Sequence, residues 1–138
     1  MFQSKKAISP ILATLLLIVI AVAAIVVTYA WVMTYISSTT SQAGIMLAED
    51  NCNWQTGKIV ITVRNTGTSD ATIDNVYVGT SGNLTLQTGV TFDPSSLVSK
   101  NGGTTTLTVI YSWNPNTTYY FRISPLTGSP LDFQETAP

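Results

Sequence analysis

The chain opens with one long apolar block and continues as a polar segment in which apolar residues alternate. No charged side chain lies between Ala7 and Ala48, and residues 10–36 are mostly Ile, Val, Leu and Ala on every helical face. About 20 such residues span the hydrocarbon core of a bilayer, and a helix that is apolar all round is surrounded by lipid or by other helices. We predict a helix from about Ser9 to about Leu47.

The start of this helix has its own sequence signals. Ser9 is a residue type that caps a first turn, and Pro10 suits the first helical position, where its missing N–H costs nothing. Lys5 and Lys6 directly precede the apolar block. The helix is therefore predicted to begin a few residues after a basic pair.

From residue 54 onwards the apolar period changes to two, which indicates strands separated by turn-rich clusters. The candidate core residues are Ile73, Val76, Val78, Leu107, Val109 and Tyr111. Short strands at this spacing are typical of an antiparallel immunoglobulin-like sandwich. The predicted fold class is α+β, a long hydrophobic helix followed by such a sandwich. The predicted strands are 58–64, 71–78, 83–86, 90–92, 104–113, 119–123 and 131–133.

The composition limits the chemistry of this domain. The chain has 138 residues, a net charge of −1, no histidine and one cysteine. No basic patch favours nucleic acid, and without histidine the commonest general base and metal ligand is missing. We expect no enzymatic activity, no cofactor and no metal site, with Asp70 and Asp74 as solvated turn carboxylates. Cys52 is expected to be a small, half-buried apolar residue.

Two Asn-x-Ser/Thr sequences are candidate glycosylation sites. They are Asn83-Leu84-Thr85 and Asn116-Thr117-Thr118, both near predicted turns. Such sequences mark acceptor asparagines in surface loops, although they also arise by chance in a chain rich in Thr and Asn. N-glycosylation of Asn83 and of Asn116 is therefore an open hypothesis.

The N-terminus admits three interpretations. A secretory signal cut after the small residues of Ala21-Val22-Ala23 would leave a long apolar end exposed on a secreted protein. A permanent single-pass anchor fits the positive-inside rule, because both lysines precede the span. A leader cut between Lys6 and Ala7 would retain the whole apolar segment, and it accounts for more of the local sequence.

The sequence KKAISPILATLLLIVIAVAA resembles the N-terminal region of archaeal type IV pilins, whose precursors carry a class III signal peptide. The resemblance implies a prepilin peptidase that cuts at Lys5-Lys6↓Ala7. It extends more loosely over residues 58–78, which resemble the sandwich domains of such pilins. Bacterial relatives carry glutamate at the fifth mature position, which is Ile11 here, so a glutamate cannot set the subunit register.

This resemblance implies a domain plan of three parts. Residues 1–6 are a cleaved leader, residues 7–48 a helix that spans the membrane before assembly and forms the filament core afterwards, and residues 49–138 the outer sandwich. The expected partners are copies of the chain, the peptidase, and an assembly ATPase with its membrane platform. The residues expected to pack in the filament core are Pro10, Leu12, Leu16, Ile20, Ala23, Val27 and Ala30.

The function implied is that of a structural subunit of an archaeal adhesion pilus on the cell surface. One alternative is a membrane-anchored surface binding domain, or a pseudopilin that does not polymerise. A third is an archaellin, which we place lower because the Ser9-Pro10 start resembles adhesion pilins more closely. Neither the ligand of the filament nor the subunit's place in it follows from the sequence.

Overall fold

The computed structural model describes the backbone of residues 5–138 and the side chains from Ser9 onwards. The chain forms two compact units that divide between Thr39 and Thr40. The first is helical, and the second contains the end of the helix and all the strands. The α+β class predicted from the sequence, a long apolar helix followed by antiparallel sheets, is confirmed.

Helix α1 extends over Lys5–Ala43, which at about 1.5 Å per residue makes it about 58 Å long. The predicted end near Leu47 is wrong, because the helix stops before Gly44 and the first strand begins at Leu47. Glycine is a poor helix residue, and here the N–H of Gly44 makes the last helical bond, to the carbonyl of Thr40 (3.0 Å).

The predicted start at Ser9 is also wrong, since the helix already includes Lys5. Pro10 therefore lies inside the helix, where its ring removes one N–H from the ladder. A cut after Lys6 would make Pro10 the fourth residue of the chain. The first four N–H groups of a helix have no intrahelical acceptor, so the proline would then cost no hydrogen bond.

Nine strands follow the helix. Their bounds are β1 Leu47–Gln55, β2 Lys58–Asn65, β3 Ala71–Thr80, β4 Asn83–Leu86, β5 Thr91–Asp93, β6 Leu97–Val98, β7 Gly103–Ile110, β8 Thr118–Pro125 and β9 Leu131–Thr136. All seven predicted strands are present, although β7 ends at Ile110 rather than at Trp113. Strands β1 and β6 were not predicted.

The strands form two antiparallel sheets. One has the order β1-β2-β7-β5, and the other has the order β4-β3-β8-β9 with β6 paired to β3. The inward side chains of both sheets belong to one hydrophobic core, in which Ile61 and Leu107 of the first sheet meet Val78 and Phe121 of the second. Five of the six predicted core residues are fully buried, whereas Tyr111 is partly exposed. The immunoglobulin-like arrangement stays a prediction.

Candidate assembly surface

The largest functional candidate is the surface of helix α1 itself. Every described side chain from Ser9 to Ala43 is exposed in the isolated chain. The exposed fraction is as high on one face as on another, for example 61% for Leu16 and 70% for its neighbour Leu17. The residues predicted to pack in a filament core are all among these exposed residues: Pro10, Leu12, Leu16, Ile20, Ala23, Val27 and Ala30.

This helix is long and apolar enough to cross a membrane over Ser9–Ala43. Its apolar stretch of residues 10–36 measures about 40 Å along the axis, against about 30 Å for the hydrocarbon core. The length therefore exceeds what a straight crossing needs. A candidate cleavage site lies at its start, but the side chains of Lys5, Lys6 and Ala7 are outside the described residues.

Five hydroxyl side chains of the helix make hydrogen bonds within it. The hydroxyls of Thr14, Thr28 and Thr34 donate to backbone carbonyls three or four residues earlier, at 2.7 to 3.0 Å. Ser38 and Thr39 both donate to the carbonyl of Tyr35 at 2.9 Å. A polar group without a partner is costly in an apolar environment. These bonds therefore make the helix compatible with a water-free environment of lipid or of packed helices.

Aromatic residues mark the C-terminal part of the apolar stretch. The rings of Trp31 and Tyr35 stack at 5.9 Å between centroids, and Tyr29 is exposed nearby in sequence. Trp and Tyr are enriched where a membrane helix meets the headgroups. The same rings could equally fill gaps between neighbouring helices, so this cluster suits either environment.

Within the second compact unit, here called the sheet unit, Gly44 directly after the helix is hydrogen-bonded to the loop of residues 66–70, here called the junction loop. The carbonyl of Gly44 accepts hydrogen bonds from the N–H groups of Thr68 (2.7 Å) and Ser69 (3.1 Å). A Cβ on Gly44 would lie 2.5 Å from the hydroxyl of Ser69, and a Cβ on Gly67 would collide with the carbonyl oxygen of Gly44. Gly67 therefore requires glycine because the two backbones approach so closely, whereas a Cβ on Gly44 would force the side chains of Thr68 and Ser69 to move.

Asn65 holds the junction loop in place. Its side chain is completely buried and donates to the carbonyls of Ser69 (2.8 Å) and Val98 (3.0 Å), while its oxygen accepts from the N–H of Gly67 (2.9 Å). Sequence reasoning missed this residue and saw Asn65 only as the start of a turn-rich cluster. The run Asn-Thr-Gly was the available signal, since Asn side chains often organise the turn that follows them.

Cys52 lies half-buried in β1 and its thiol is free. Burial raises its pKa to about 12, and the carboxylates of Glu135 and Glu49 add to the effect. Burial also raises the pKa of Glu49, with further contributions from Glu135 and Asp50. A thiol this reluctant to ionise is a poor nucleophile, which fits the apolar role expected for it.

The remaining candidates from the sequence lie apart from one another. Asn83 is the exposed first residue of β4, and Asn116 lies in an exposed turn with φ of 57°. Neither glycosylation hypothesis is tested by this geometry. Asp70 has a structural partner, because its carboxylate accepts the N–H of Lys100 at 2.8 Å. Within the part of the chain that the structure describes, no group of three acidic, Cys or His residues could hold a metal ion.

No protein-family model and no curated protein matches the chain. Among solved structures, a chain of the archaeal flagellum of Methanospirillum hungatei strain JF1 has a TM-score of 0.64 at 13% identity, over 98% of this chain and 94% of that one. The archaellum periplasmic stator protein FlaG from Sulfolobus acidocaldarius has a TM-score of 0.58 at 18% identity, over 66% of this chain and 99% of its own.

A third likeness is to the FlaF–FlaG stator complex of Sulfolobus acidocaldarius, with a TM-score of 0.57 at 19% identity over 64% of this chain and 87% of that one. At such low identities these likenesses establish a shared fold and nothing finer. The chain therefore shares the fold of these archaellum components.

Proposed function

We propose that this chain is a structural subunit of an archaeal surface filament, assembled through helix α1. The observation that carries the proposal is the helix surface, which is uncharged and exposed on every face from Ser9 to Ala43 and mostly apolar over residues 10–36. Burying each of its large apolar side chains is worth roughly 1.5–3 kcal/mol. Such a surface cannot stay in water, so lipid or other helices must cover it.

Assembly would move helix α1 from lipid into contact with other helices. In a bilayer the helix satisfies its own backbone and hydroxyl groups, and in a bundle copies of the same helix would replace the lipid. Because one apolar environment replaces another, the net driving force is far smaller than the gross burial term. The proposal therefore includes an ATP-driven machine to extract subunits, after a peptidase has removed residues 1–6.

The comparison with the Methanospirillum flagellum supports a filament role, since that likeness extends over 98% of this chain and so includes helix α1. The same likeness favours an archaellum subunit as an alternative. We favour an adhesion pilus because residues 5–10 resemble the start of adhesion pilins. Loss of surface attachment in a deletion strain that still swims would support the pilus, and loss of swimming would support the archaellum.

A membrane-anchored domain that does not polymerise is the second candidate. It is favoured by the likeness to FlaG, which is described as a periplasmic stator protein and matches 99% of its own length. In this case helix α1 would remain in the lipid. Shearing of cells followed by sedimentation of the supernatant separates the two hypotheses, because only a filament releases the full chain in sedimenting particles.

The helix surface itself is tested by Leu16→Asp. An unpaired charge is costly among packed apolar helices, whereas in lipid its cost is partly relieved by snorkelling and by local thinning of the bilayer. We expect the variant to remain in the membrane fraction and to yield few or no filaments. The matched control is Leu86→Asp, at an exposed leucine of the sheet unit, which should assemble normally. Normal filament yield from Leu16→Asp would refute a buried helix.

A further inference from the structure

The outward face of the β4-β3-β8-β9 sheet carries a group of side chains that the proposed assembly through helix α1 does not require. In one row across the sheet, Tyr77, Arg122 and Asp132 are consecutive cross-strand partners. The next row contains Leu84, Tyr120 and Gln134. The strand pairing thus brings two tyrosine rings, an ion pair and an amide together within about two strand spacings.

These side chains line two adjoining concavities, here called the outer groove. Their volumes are about 380 and 430 Å³, and Leu84 and Arg122 line both. Small-molecule sites commonly measure about 300–1,000 Å³ and combine apolar walls with a few polar groups. The outer groove has this size and composition, and it lies on the face of the sheet, where it cannot extend the sheet by adding a peptide strand.

The ion pair in the groove is held in a fixed geometry. The Nε of Arg122 donates to Oδ1 of Asp132 at 2.7 Å, and its second terminal nitrogen donates to Oδ2 at 2.9 Å. Both side chains remain about half exposed, at 46% and 52%. An exposed pair contributes little to stability, but both groups keep unused hydrogen-bonding capacity, since each carboxylate oxygen can accept again and the guanidinium has N–H groups left.

The charges of the groove favour an uncharged ligand. The guanidinium of Arg122 neutralises the carboxylate of Asp132 and holds the pKa of Asp132 below its ordinary value, so the ion pair carries no net charge. A charged ligand would therefore find no uncompensated partner there. The apolar lining comes from Leu84 and from the ring of Tyr120, which is 36% exposed.

We propose that the outer groove binds a neutral polysaccharide through two adjacent hydroxyl groups of one sugar ring. Asp132 accepts one hydrogen bond from each of the two hydroxyl groups, Arg122 and Gln134 donate hydrogen bonds to ring or hydroxyl oxygens, and Tyr120 packs against the apolar C–H face of the sugar. The preformed ion pair reduces the ordering cost of binding. The source of the sugar is an external polysaccharide, and the site does not depend on filament formation.

The test uses the full chain in micelles of an amine-oxide detergent, which carries no sugar to compete. Binding of mannan and dextran, both neutral, is measured by titration calorimetry and compared with anionic hyaluronate. We expect binding to at least one neutral polysaccharide and none to hyaluronate. Asp132→Asn should weaken that binding at least about tenfold, because hydrogen bonds to a charged acceptor are the strong ones.

A second exposed ion pair, between Arg64 and Asp50, offers a matched control. The carboxylate of Asp50 accepts from Arg64 at 3.0 Å, with side-chain exposures of 41% and 46%, but this pair lies on the opposite sheet. Asp50→Asn should leave binding unchanged within about twofold. A second series removes the ring: Tyr120→Ala should weaken binding about fivefold or more, and Tyr120→Phe should retain it.

Three results would overturn the proposal. They are the absence of binding to both neutral polysaccharides, a preference for hyaluronate, and equal affinities of the Asp132→Asn and Asp50→Asn variants. Thermal unfolding of each variant shows whether the sheet unit is intact. The result is independent of the filament hypothesis, because monomers in micelles suffice for the measurement.

Discussion

The side chain of Asn65 offers the sharpest test of what keeps the junction loop in place beside Gly44. It is completely buried and makes three hydrogen bonds, to the backbone of Gly67, Ser69 and Val98. Substitution by alanine removes all three bonds at once and leaves two carbonyls and one N–H without their partner. We predict that Asn65→Ala strongly destabilises the sheet unit and loosens the junction loop.

The size of the effect follows from the partners. A buried backbone group left without a hydrogen bond costs about 1–3 kcal/mol. Ser69 is half-buried, and water can therefore reach its carbonyl after some relaxation. A cost near the lower limit for each of the three groups gives a loss of about 3–4 kcal/mol. A domain of this size has a total stability of about 5–15 kcal/mol, so the loss would be a large part of it.

The assay is thermal unfolding of the full chain in micelles, followed by near-ultraviolet circular dichroism. Trp54 and Trp113 report on the sheet unit, since their rings meet edge to face at 5.3 Å between centroids. A loss of 1 kcal/mol lowers the Tm of a small domain by about 4–8 °C, so Asn65→Ala should lower it by about 12–30 °C. Asn53→Ala, at an exposed position of β1, is the matched control and should change Tm little.

The junction loop gives the prediction a second, local readout. Its N–H groups at Thr68 and Ser69 are bonded to the carbonyl of Gly44, and they should exchange with solvent faster in Asn65→Ala than in the control. A Tm within about 4 °C of that of Asn53→Ala would refute the reasoning. The three bonds would then be replaceable by water at almost no cost.

Two further predictions concern the N-terminus and the cysteine. If a peptidase removes residues 1–6, the mature chain begins at Ala7, which N-terminal sequencing would show. Lys6→Ala should block this processing and keep the protein in the membrane. An intact Met1 in mature wild-type filaments would contradict the cleavage. The pKa of Cys52 is raised to about 12, so iodoacetamide should alkylate the folded protein very slowly at pH 8 and the unfolded protein readily. The thiol of Cys52 ionises near pH 9 in the unfolded chain but only near pH 12 in the folded chain. Its contribution to the free energy of unfolding is therefore fully present below pH 9 and is lost as the pH rises towards 12. Cys52→Ala should remove this part of the pH dependence in thermal unfolding, and an unchanged alkaline slope would show that Cys52 is not responsible.

Composition and period were enough to predict the helix and most strands, because both depend on local sequence. The apolar block is too long and too uniform for any other element. The long predicted strands alternate for most of their length between buried and more exposed positions, as in residues 58–65 of β2 and in β7 and β8. These are also the elements with strong intrinsic propensity, so their existence did not depend on the tertiary structure.

Strand β1 escaped prediction for a physical reason. Its sequence LAEDNCNWQ carries two acidic residues and two asparagines, and its pairing with β2 shifts register between Glu49 and Asn51. A bulge of this kind adds one residue and breaks the period of two. The strand forms because β2 offers it eight backbone partners, which no local pattern reveals. Because β1 was not recognised, the helix was predicted to continue to Leu47, where β1 in fact begins, instead of ending at Ala43.

Neither of the two sites of greatest interest follows from local sequence alone. Asn65 acquires its role because Val98, more than thirty residues later, brings a carbonyl to its side chain. The outer groove exists because antiparallel pairing aligns Arg122 with both Tyr77 and Asp132. The sequence predicted a strand over residues 119–123, but only the strand order determines which residues stand beside Arg122. A shift of one residue in the β8–β9 register would turn Asp132 to the other face of the sheet and abolish the groove. The outer groove therefore depends on the strand register, and ligand binding there would give this sheet a function separate from that of helix α1.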